Sequence, residues 1–148
     1  RVTMIQQATE KAIRELLQKT VNQVTRSKNA IPVLISDVDE VKVEMPYIVI
    51  KCTNSEEMIT PNSGIFRVDG ELVFKSHTAG TTPKRRQQAL DAINNFAYES
   101  TDLKLSLTDN FHCHGWHPTT GEMTVDDATK ATIYTMKYWV YCMAMNNT

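Results

Sequence analysis

The sequence has no long apolar run and almost no net charge, and each absence excludes a class of protein. Its uninterrupted apolar stretches are far shorter than the roughly 20 residues that cross a bilayer. Its N-terminus also lacks the charged, apolar and small-residue order of an export signal. Sixteen basic against seventeen acidic side chains leave a net charge of −1, so bulk charge indicates neither a nucleic-acid partner nor a membrane. We therefore expect a protein that is made and used in a cytosol.

Catalytic motifs are also lacking. The chain has no Gly-rich phosphate loop, no nucleophile elbow and no HExxH sequence. The adjacent pair Ser76 and His77 lies in a predicted strand, where neighbours point to opposite faces and cannot serve as nucleophile and base. We predict that the protein is not an enzyme and uses no cofactor.

Cysteines are few, and their arrangement argues against a disulfide framework. Cys52, Cys113 and Cys142 all lie in apolar, strand-like segments, and their number is odd with no regular spacing. Because a free cysteine behaves as a small apolar side chain, we predict that all three are reduced and buried.

What is present is the composition of one globular domain spanning residues 1–148. Hydrophobic residues make up 41% of the chain and charged residues 22%. From Thr3 to Val24 apolar residues recur every three or four positions, which predicts an amphipathic helix. Its opposite face is expected to be solvated and carries Gln6, Glu10, Arg14, Gln18 and Lys19. A second helix is predicted from Thr82, a capping residue followed by Pro83, to Tyr98.

Short β-branched and aromatic segments predict strands between and after these helices. The predicted strands cover residues 31–35, 45–52, 65–77, 111–117 and 130–145. Pro46 cannot donate to a strand ladder and therefore marks a strand start. Asp69-Gly70 indicates either a two-residue hairpin turn or a glycine bulge, and we favour one long bulged strand. The order of elements predicts an α+β fold in which a mostly antiparallel sheet packs against helices on one face.

A polar segment from Thr53 to Gly64 separates two predicted strands. Met58 and Ile59 are its only aliphatic residues. Long polar loops inside compact domains commonly bind partners. We therefore take this loop, with Met58 and Ile59, as a candidate contact for another protein.

The last predicted strand is apolar on both of its faces. Alternation places Tyr134, Tyr138, Val140 and Cys142 on one face, and Ile133, Trp139, Tyr141, Met143 and Met145 on the other. A domain of this size has one helical layer, which covers one face of the sheet. Part of the other face should therefore be buried by a neighbouring subunit, and the candidate interface residues here are Tyr138, Trp139 and Tyr141.

Three basic residues occupy an unfavourable place at the start of the second helix. Lys84, Arg85 and Arg86 lie in its first turn, where the helix dipole disfavours positive charge. They would be explained by the carboxylates of an adjacent subunit or by phosphate. A solvated charge run, tolerated at small cost, is the alternative.

The densest group of potential metal ligands is His112, Cys113, His114 and His117. His112 and His114 fall on one face of the predicted strand, but an HxHxxH string lacks the paired spacings of zinc motifs. A polar, partly exposed strand face is the favoured interpretation, with Trp116 buried in the core, and a metal site is the alternative. The acidic run from Asp37 to Glu44 lacks the glycine of a calcium loop and is better explained as a solvated strand edge.

The arrangement as a whole resembles the tail terminator, or tail completion, proteins of long-tailed bacteriophages. The resemblance covers nearly the whole chain and rests on the following features: the N-terminal helix, the Pro46-Tyr47 strand, Asn62-Ser63-Gly64 leading into a long strand that ends Lys75-Ser76-His77, the helix from Thr82, Gly115-Trp116, and the aromatic closing strand. The three histidines around Gly115-Trp116 depart from the group.

This resemblance implies a structural virion protein of the neck region, assembled in the host cytoplasm. Such a subunit forms a ring, commonly a hexamer, that caps the tail tube, ends its polymerisation and offers a joining face to the head. The implied partners are further copies of the chain, the tube protein and a head-completion or connector protein. Genome DNA would pass through the ring without sequence-specific binding. The alternatives are another neck or tail subunit, such as a stopper, connector or tube protein, and a small metal-dependent enzyme using the histidines.

Overall fold

A computed structural model describes residues 4–28, 30–35, 44–58, 63–78, 83–99, 105–106 and 111–144. This part of the chain forms two helices and seven strands. Of the predicted acidic run from Asp37 to Glu44, residues 37–43 lie outside the described residues, and Glu44 is exposed; the Thr82 cap also lies outside them.

Both predicted helices are confirmed. Helix α1 spans Met4–Thr25 and helix α2 spans Pro83–Glu99. They pack against each other, and α1 also packs against strands at one side of the sheet. In the part of the chain described above, neither helix is both long enough and apolar enough to cross a membrane.

The described strands form one mostly antiparallel sheet, which confirms the predicted α+β fold class. In chain order they are β1 Val33–Ile35, β2 Tyr47–Glu57, β3 Ile65–His77, β4 Leu105–Ser106, β5 Phe111–Pro118, β6 Glu122–Asp126 and β7 Ala131–Ala144. Their order across the sheet is β1-β2-β3-β7-β5-β4, and only β1 and β2 pair in parallel. Strand β6 follows β5 along the same side of β7. The long strand β7 therefore lies in the middle of the sheet.

The prediction of a loop from Thr53 to Gly64 is wrong for its first part. Strand β2 continues to Glu57, and residues 54–57 pair with residues 66–69 of β3. The register shifts between Cys52 and Asn54, so Thr53 is the extra residue of a bulge. The polar composition misled the prediction because the side chains of residues 54–57 are exposed or half-buried on both faces of the strand. Such a strand shows no apolar alternation.

The single long strand β3 is confirmed, but its bulge lies in the partner strand and not at Gly70. Gly70 is directly opposite Tyr138 of β7. A Cβ atom built at Gly70 would overlap the Tyr138 ring and would lie 2.5 Å from the Lys51 carbonyl oxygen. Glycine is therefore needed at position 70, because the Tyr138 ring lies across it. The Tyr138 hydroxyl donates to that same Lys51 carbonyl at 3.2 Å.

The main core lies between the helices and one face of the sheet, which we call the inner face. Trp116 is 1% exposed, as predicted. Its ring stacks on Tyr138 with 4.4 Å between centroids and meets Phe96 edge to face at 5.0 Å. This aromatic group joins α2, β5 and β7 and fixes the helical layer on the sheet.

The prediction that the polar face of α1 is solvated is wrong for Gln6, Glu10 and Gln18. Gln6 and Glu10 are buried, and Glu10 accepts a hydrogen bond from the backbone N–H of Cys52 at 2.9 Å. Gln18 accepts from the Val33 N–H at 2.8 Å and donates to the Ile31 carbonyl at 3.2 Å. Strand β1 is short and lies at the edge of the sheet, so some backbone groups of β1 and β2 have no strand partner. Side chains of α1 bind two of them, the N–H groups of Val33 and Cys52.

The outer face of the sheet is covered unevenly. At the β1 and β2 side, Leu34, Tyr47 and Val49 are buried in a small apolar cluster of their own. On β7 the inner-face residues Tyr138, Val140 and Cys142 are buried, whereas Trp139 and Tyr141 are only partly buried on the outer face. Of the three interface candidates on this strand, Tyr138 thus lies in the core, because alternation turns it to the helical side. The predicted division of β7 into a covered face and a partly uncovered face is thus confirmed for residues 133–143, and Met145 lies outside the described residues.

Candidate interaction surface

A group of aromatic side chains with one arginine stands on the outer face where the helices do not reach. We call Arg67, His117, Trp139 and Tyr141 the aromatic patch. The His117 and Trp139 rings stack with 3.6 Å between centroids, and Tyr141 meets Trp139 edge to face at 5.1 Å. The Arg67 guanidinium lies over the Trp139 ring at 4.6 Å. All four side chains are partly exposed, so the patch is a preformed surface and not part of the core.

Strand alternation and one bulge produce this patch. Trp139 and Tyr141 are two residues apart on β7, and Arg67 of β3 is directly opposite Tyr141. In β5 the register shifts between His114, opposite Tyr141, and His117, opposite Trp139. Gly115 adopts φ 71° within this shift, a conformation that favours glycine. The bulge places Trp116 in the core and the next residue, His117, on the patch.

Arg67 is held in place by a neighbour on its own strand. Its Nε atom donates to the Asp69 carboxylate at 3.1 Å, and both side chains are about one-third or more exposed, at 40% and 32%. Such an exposed pair contributes little to stability. Its effect is to orient the guanidinium above Trp139, so the patch is already arranged before a partner binds.

The structure places only part of the histidine group. Main-chain register sets His112 opposite Met143 and His114 opposite Tyr141, but the side chains of residues 111–114 lie outside the description. Among the side chains that are described, no three His, Cys, Asp or Glu residues come together as a metal site would require. The metal alternative therefore remains a question for experiment.

The basic turn at the start of α2 has partners within its own chain. Arg85 donates to the Ala30 carbonyl at 2.6 Å, and Arg86 donates to the carbonyls of His77 and Thr78 at 3.1 and 3.4 Å. These arginines connect the start of α2 to the ends of α1 and β3. Lys84 is exposed. The predicted contact of this turn with a neighbouring subunit stays a prediction.

The end of the β2–β3 hairpin contains the predicted loop contact. Met58 is half-buried and donates its N–H to the Ile65 carbonyl at 2.7 Å. The Ser63 hydroxyl donates to the Met58 carbonyl at 2.6 Å, and Gly64 takes φ 75° at the start of the return strand. Ile59 lies outside the described residues. The role of this hairpin end in partner contact stays a prediction.

Two of the three cysteines are described, and both are buried and free, as predicted. Burial raises the pKa of the Cys52 thiol, and the nearby Glu10 and Cys142 raise it further, whereas the hydrogen bond between Cys52 and Tyr138 lowers it. The Cys142 sulfur lies 3.2 Å from the Thr9 hydroxyl. These thiols are parts of the core between α1 and the sheet. The Cys113 side chain lies outside the described residues.

Sequence reasoning missed strand β6. Residues 122–126 pair with β7, and Met123 and Val125 are 49% and 58% exposed. The alternation of Glu122, Met123, Thr124, Val125 and Asp126 was an available signal for a strand. A turn over residues 127–130 joins β6 to β7.

Comparison with known proteins gives a likeness in fold. No protein-family model matches the sequence, and no curated protein matches it. Among solved structures, the chain is similar to one from "Virion of native gene transfer agent (GTA) particle", with a TM-score of 0.54 and 12% identity. The match covers 86% of this chain and 95% of that chain. The two chains thus share a fold along nearly their whole length.

Proposed function

We propose that this protein is a structural subunit of a phage-like virion, and specifically the tail terminator. In this role it forms a ring on the last layer of the tail tube, ends tube polymerisation and provides the face that joins the head. The observation that carries the proposal is the aromatic patch on a sheet face that the chain's own helices leave partly open. The fold shared with a virion chain supports the same class of function.

The patch has the composition of a protein interface. Tyrosine, tryptophan and arginine are enriched among residues that dominate binding energy, and this patch holds Trp139, Tyr141 and Arg67 in fixed mutual contact. A rigid surface loses little conformational entropy on binding. A neighbouring copy in a closed ring would bury it without leaving an open end.

The β2–β3 hairpin is the proposed contact along the ring axis. The distal part of its first strand, residues 54–57, is polar and pairs with β3 alone among the described strands. It therefore suits contact with the tube protein on one side or a connector on the other. The proposed ring lets genome DNA pass without sequence-specific contact and works without a cofactor or catalysis.

Another neck or tail subunit is the second candidate, because the fold likeness is to a virion chain without a stated position. Electron microscopy of the purified protein separates the possibilities. A terminator stops as a single closed ring, whereas a tube protein polymerises into tubes by itself. A protein that stays monomeric at all concentrations would contradict both.

A further inference from the structure

The two lateral edges of the sheet lie at the same level. Val33 of β1 is opposite Ile48, Ile48 is opposite Phe74, Phe74 is opposite Tyr134, and Tyr134 is opposite Met123 of β6. One row of paired residues thus runs from edge to edge. In a cyclic ring each copy presents one side to the opposite side of the next, so the surfaces around Val33 and Met123 would meet at equal height.

The edge at β6 is exposed and acidic. We call residues 122–127 the β6 rim. No strand in the described ranges pairs with the outer side of β6, and Met123 and Val125 are about half exposed. The rim carries Glu122, Asp126 and Asp127, with Lys130 and Lys75 as nearby cations, which gives a local charge of about −1 by count. An exposed edge with apolar side chains is normally covered in the working assembly.

Hydrogen bonds hold one rim carboxylate in place. The Thr129 side chain and the Ala128 N–H donate to Asp126, and they lower the pKa of its carboxyl.

The opposite edge carries a basic groove along α1. We call this the α1 groove, and it is lined by Arg14, Glu15, Gln18, Lys19, Asn22 and Lys28, among others. Three cations and one acid give it a charge of about +2 by the same count. Gln18 in the groove already accepts the Val33 N–H. A partner at this edge therefore binds through side chains and does not add a strand to the sheet.

We propose that the β6 rim of one copy docks into the α1 groove of the next copy around the ring. The two surfaces have opposite charge and lie at the same level on opposite sides of one subunit. The apolar atoms of Met123 and Val125 would pack on the aliphatic stems of Lys19 and Arg14. The inference rests on the proposed ring. It names a second pair of surfaces, besides the aromatic patch, through which neighbouring subunits touch.

A second copy fits these observations better than DNA does. A polyanion would occupy the cations of the α1 groove but would leave the acidic rim and its exposed Met123 and Val125 without a partner. The copy-to-copy contact uses both surfaces. DNA binding by the groove is accordingly an outcome that the experiment must separate.

The test is a charge exchange measured by sedimentation velocity at low and high salt. One variant carries Lys19→Glu and Lys28→Glu, a second carries Glu122→Lys and Asp127→Lys, and a third carries all four changes. Each two-residue variant turns attractive pairs into repulsive ones and should weaken association by about tenfold. The four-residue variant should recover association, because the attractive pairs are rebuilt with reversed sign. Lys11→Glu, elsewhere on α1 and outside the groove lining, is the matched control and should assemble as the unchanged protein does.

Recovery in the four-residue variant, together with a reversed salt dependence in each two-residue variant, whose association should strengthen as salt screens the repulsion, would support the contact. If the rim variant assembled normally, or the four-residue variant failed to recover, the contact would be wrong although a ring held by the aromatic patch would stand. If the groove variant alone lost the ability to bind DNA while its assembly stayed unchanged, the groove would be a DNA-binding surface. Circular dichroism of each variant checks that the monomer remains folded.

Discussion

Neighbouring aromatic residues on β7 should respond to alanine in opposite ways. Tyr138 lies on the inner face and Trp139 on the outer face of the same strand. We expect Tyr138→Ala to unfold or strongly destabilise the monomer. We expect Trp139→Ala to leave a folded monomer that assembles poorly.

The expected loss at Tyr138 follows from its contacts. The side chain is 2% exposed, stacks on Trp116 and donates a hydrogen bond to the Lys51 carbonyl. Removing a buried aromatic side chain costs about 3–5 kcal/mol. A domain of ordinary stability has about 5–15 kcal/mol in all, so the substitution removes a large share of the free energy of unfolding.

The expected loss at Trp139 within the monomer is smaller. Its stacking with His117 and its contact with Arg67 are partly exposed, and such contacts contribute about 0.5–1.5 kcal/mol each. In the ring the same side chain would be a central contact, where truncation costs about 2 kcal/mol or more, or roughly 30-fold in affinity.

Urea unfolding and sedimentation velocity on the same preparations measure the two effects. Asn94→Ala, exposed on α2, is the control and should change neither. If Trp139→Ala assembled with wild-type affinity, the aromatic patch would not be the subunit interface. If it destabilised the monomer as much as Tyr138→Ala does, the division of β7 into two faces would be wrong.

Three further predictions concern pH, charge and metal. The Cys52 thiol has a raised pKa in the fold, whereas the unfolded thiol ionises near about 8.5. The free energy of unfolding should therefore be unaffected at pH 7 and should fall as pH rises above about 8.5, by up to about 1.4 kcal/mol per pH unit. A Cys52→Ala variant should lack this fall in urea titrations. Lys84→Glu should weaken assembly at low salt without destabilising the monomer, because an acid in the first turn is favoured by the helix dipole. Arg86→Glu should in addition destabilise the monomer by about 1 kcal/mol through its lost bonds to the His77 and Thr78 carbonyls. Equal assembly of Lys84→Glu and wild type at every salt concentration would make that lysine part of a solvated face. Purified protein should contain well under one zinc per chain and melt at the same temperature with and without chelator, and stoichiometric zinc with a chelator-induced drop would instead support a metal site at the histidines.

The sequence predicted the helices and the aromatic strand because their signals are periodic. The apolar spacing of α1 and the alternation around Tyr138 and Trp139 follow directly from helix and strand geometry. These features depend on local pattern alone, and the structure confirms them.

The errors arose where a polar side chain or segment is used by the fold. Glu10 and Gln18 fall on the polar side of α1, yet they bind backbone groups of β2 and β1. Which backbone groups lack a strand partner is set by the tertiary pairing and cannot be inferred from helix periodicity. Residues 54–57 were predicted as loop because their pairing with β3 leaves both of their sides solvated.

The candidate site was predicted only in part. Trp139 and Tyr141 follow from alternation, but Arg67 and His117 join them through the register of β3 and β5. That register depends on the bulge at Gly115, whose position the sequence alone leaves open. The exposed edge of β6 was missed because a five-residue alternating segment is a weak signal beside stronger turn residues.

The central claim, that this chain ends the growth of a tail tube, is tested most directly by the tail length of particles made without it. Electron micrographs of such particles should show tails of irregular and excessive length that fail to join heads, and supplying the chain in trans should restore uniform, joined tails. Normal-length tails joined to full heads in its absence would contradict the account.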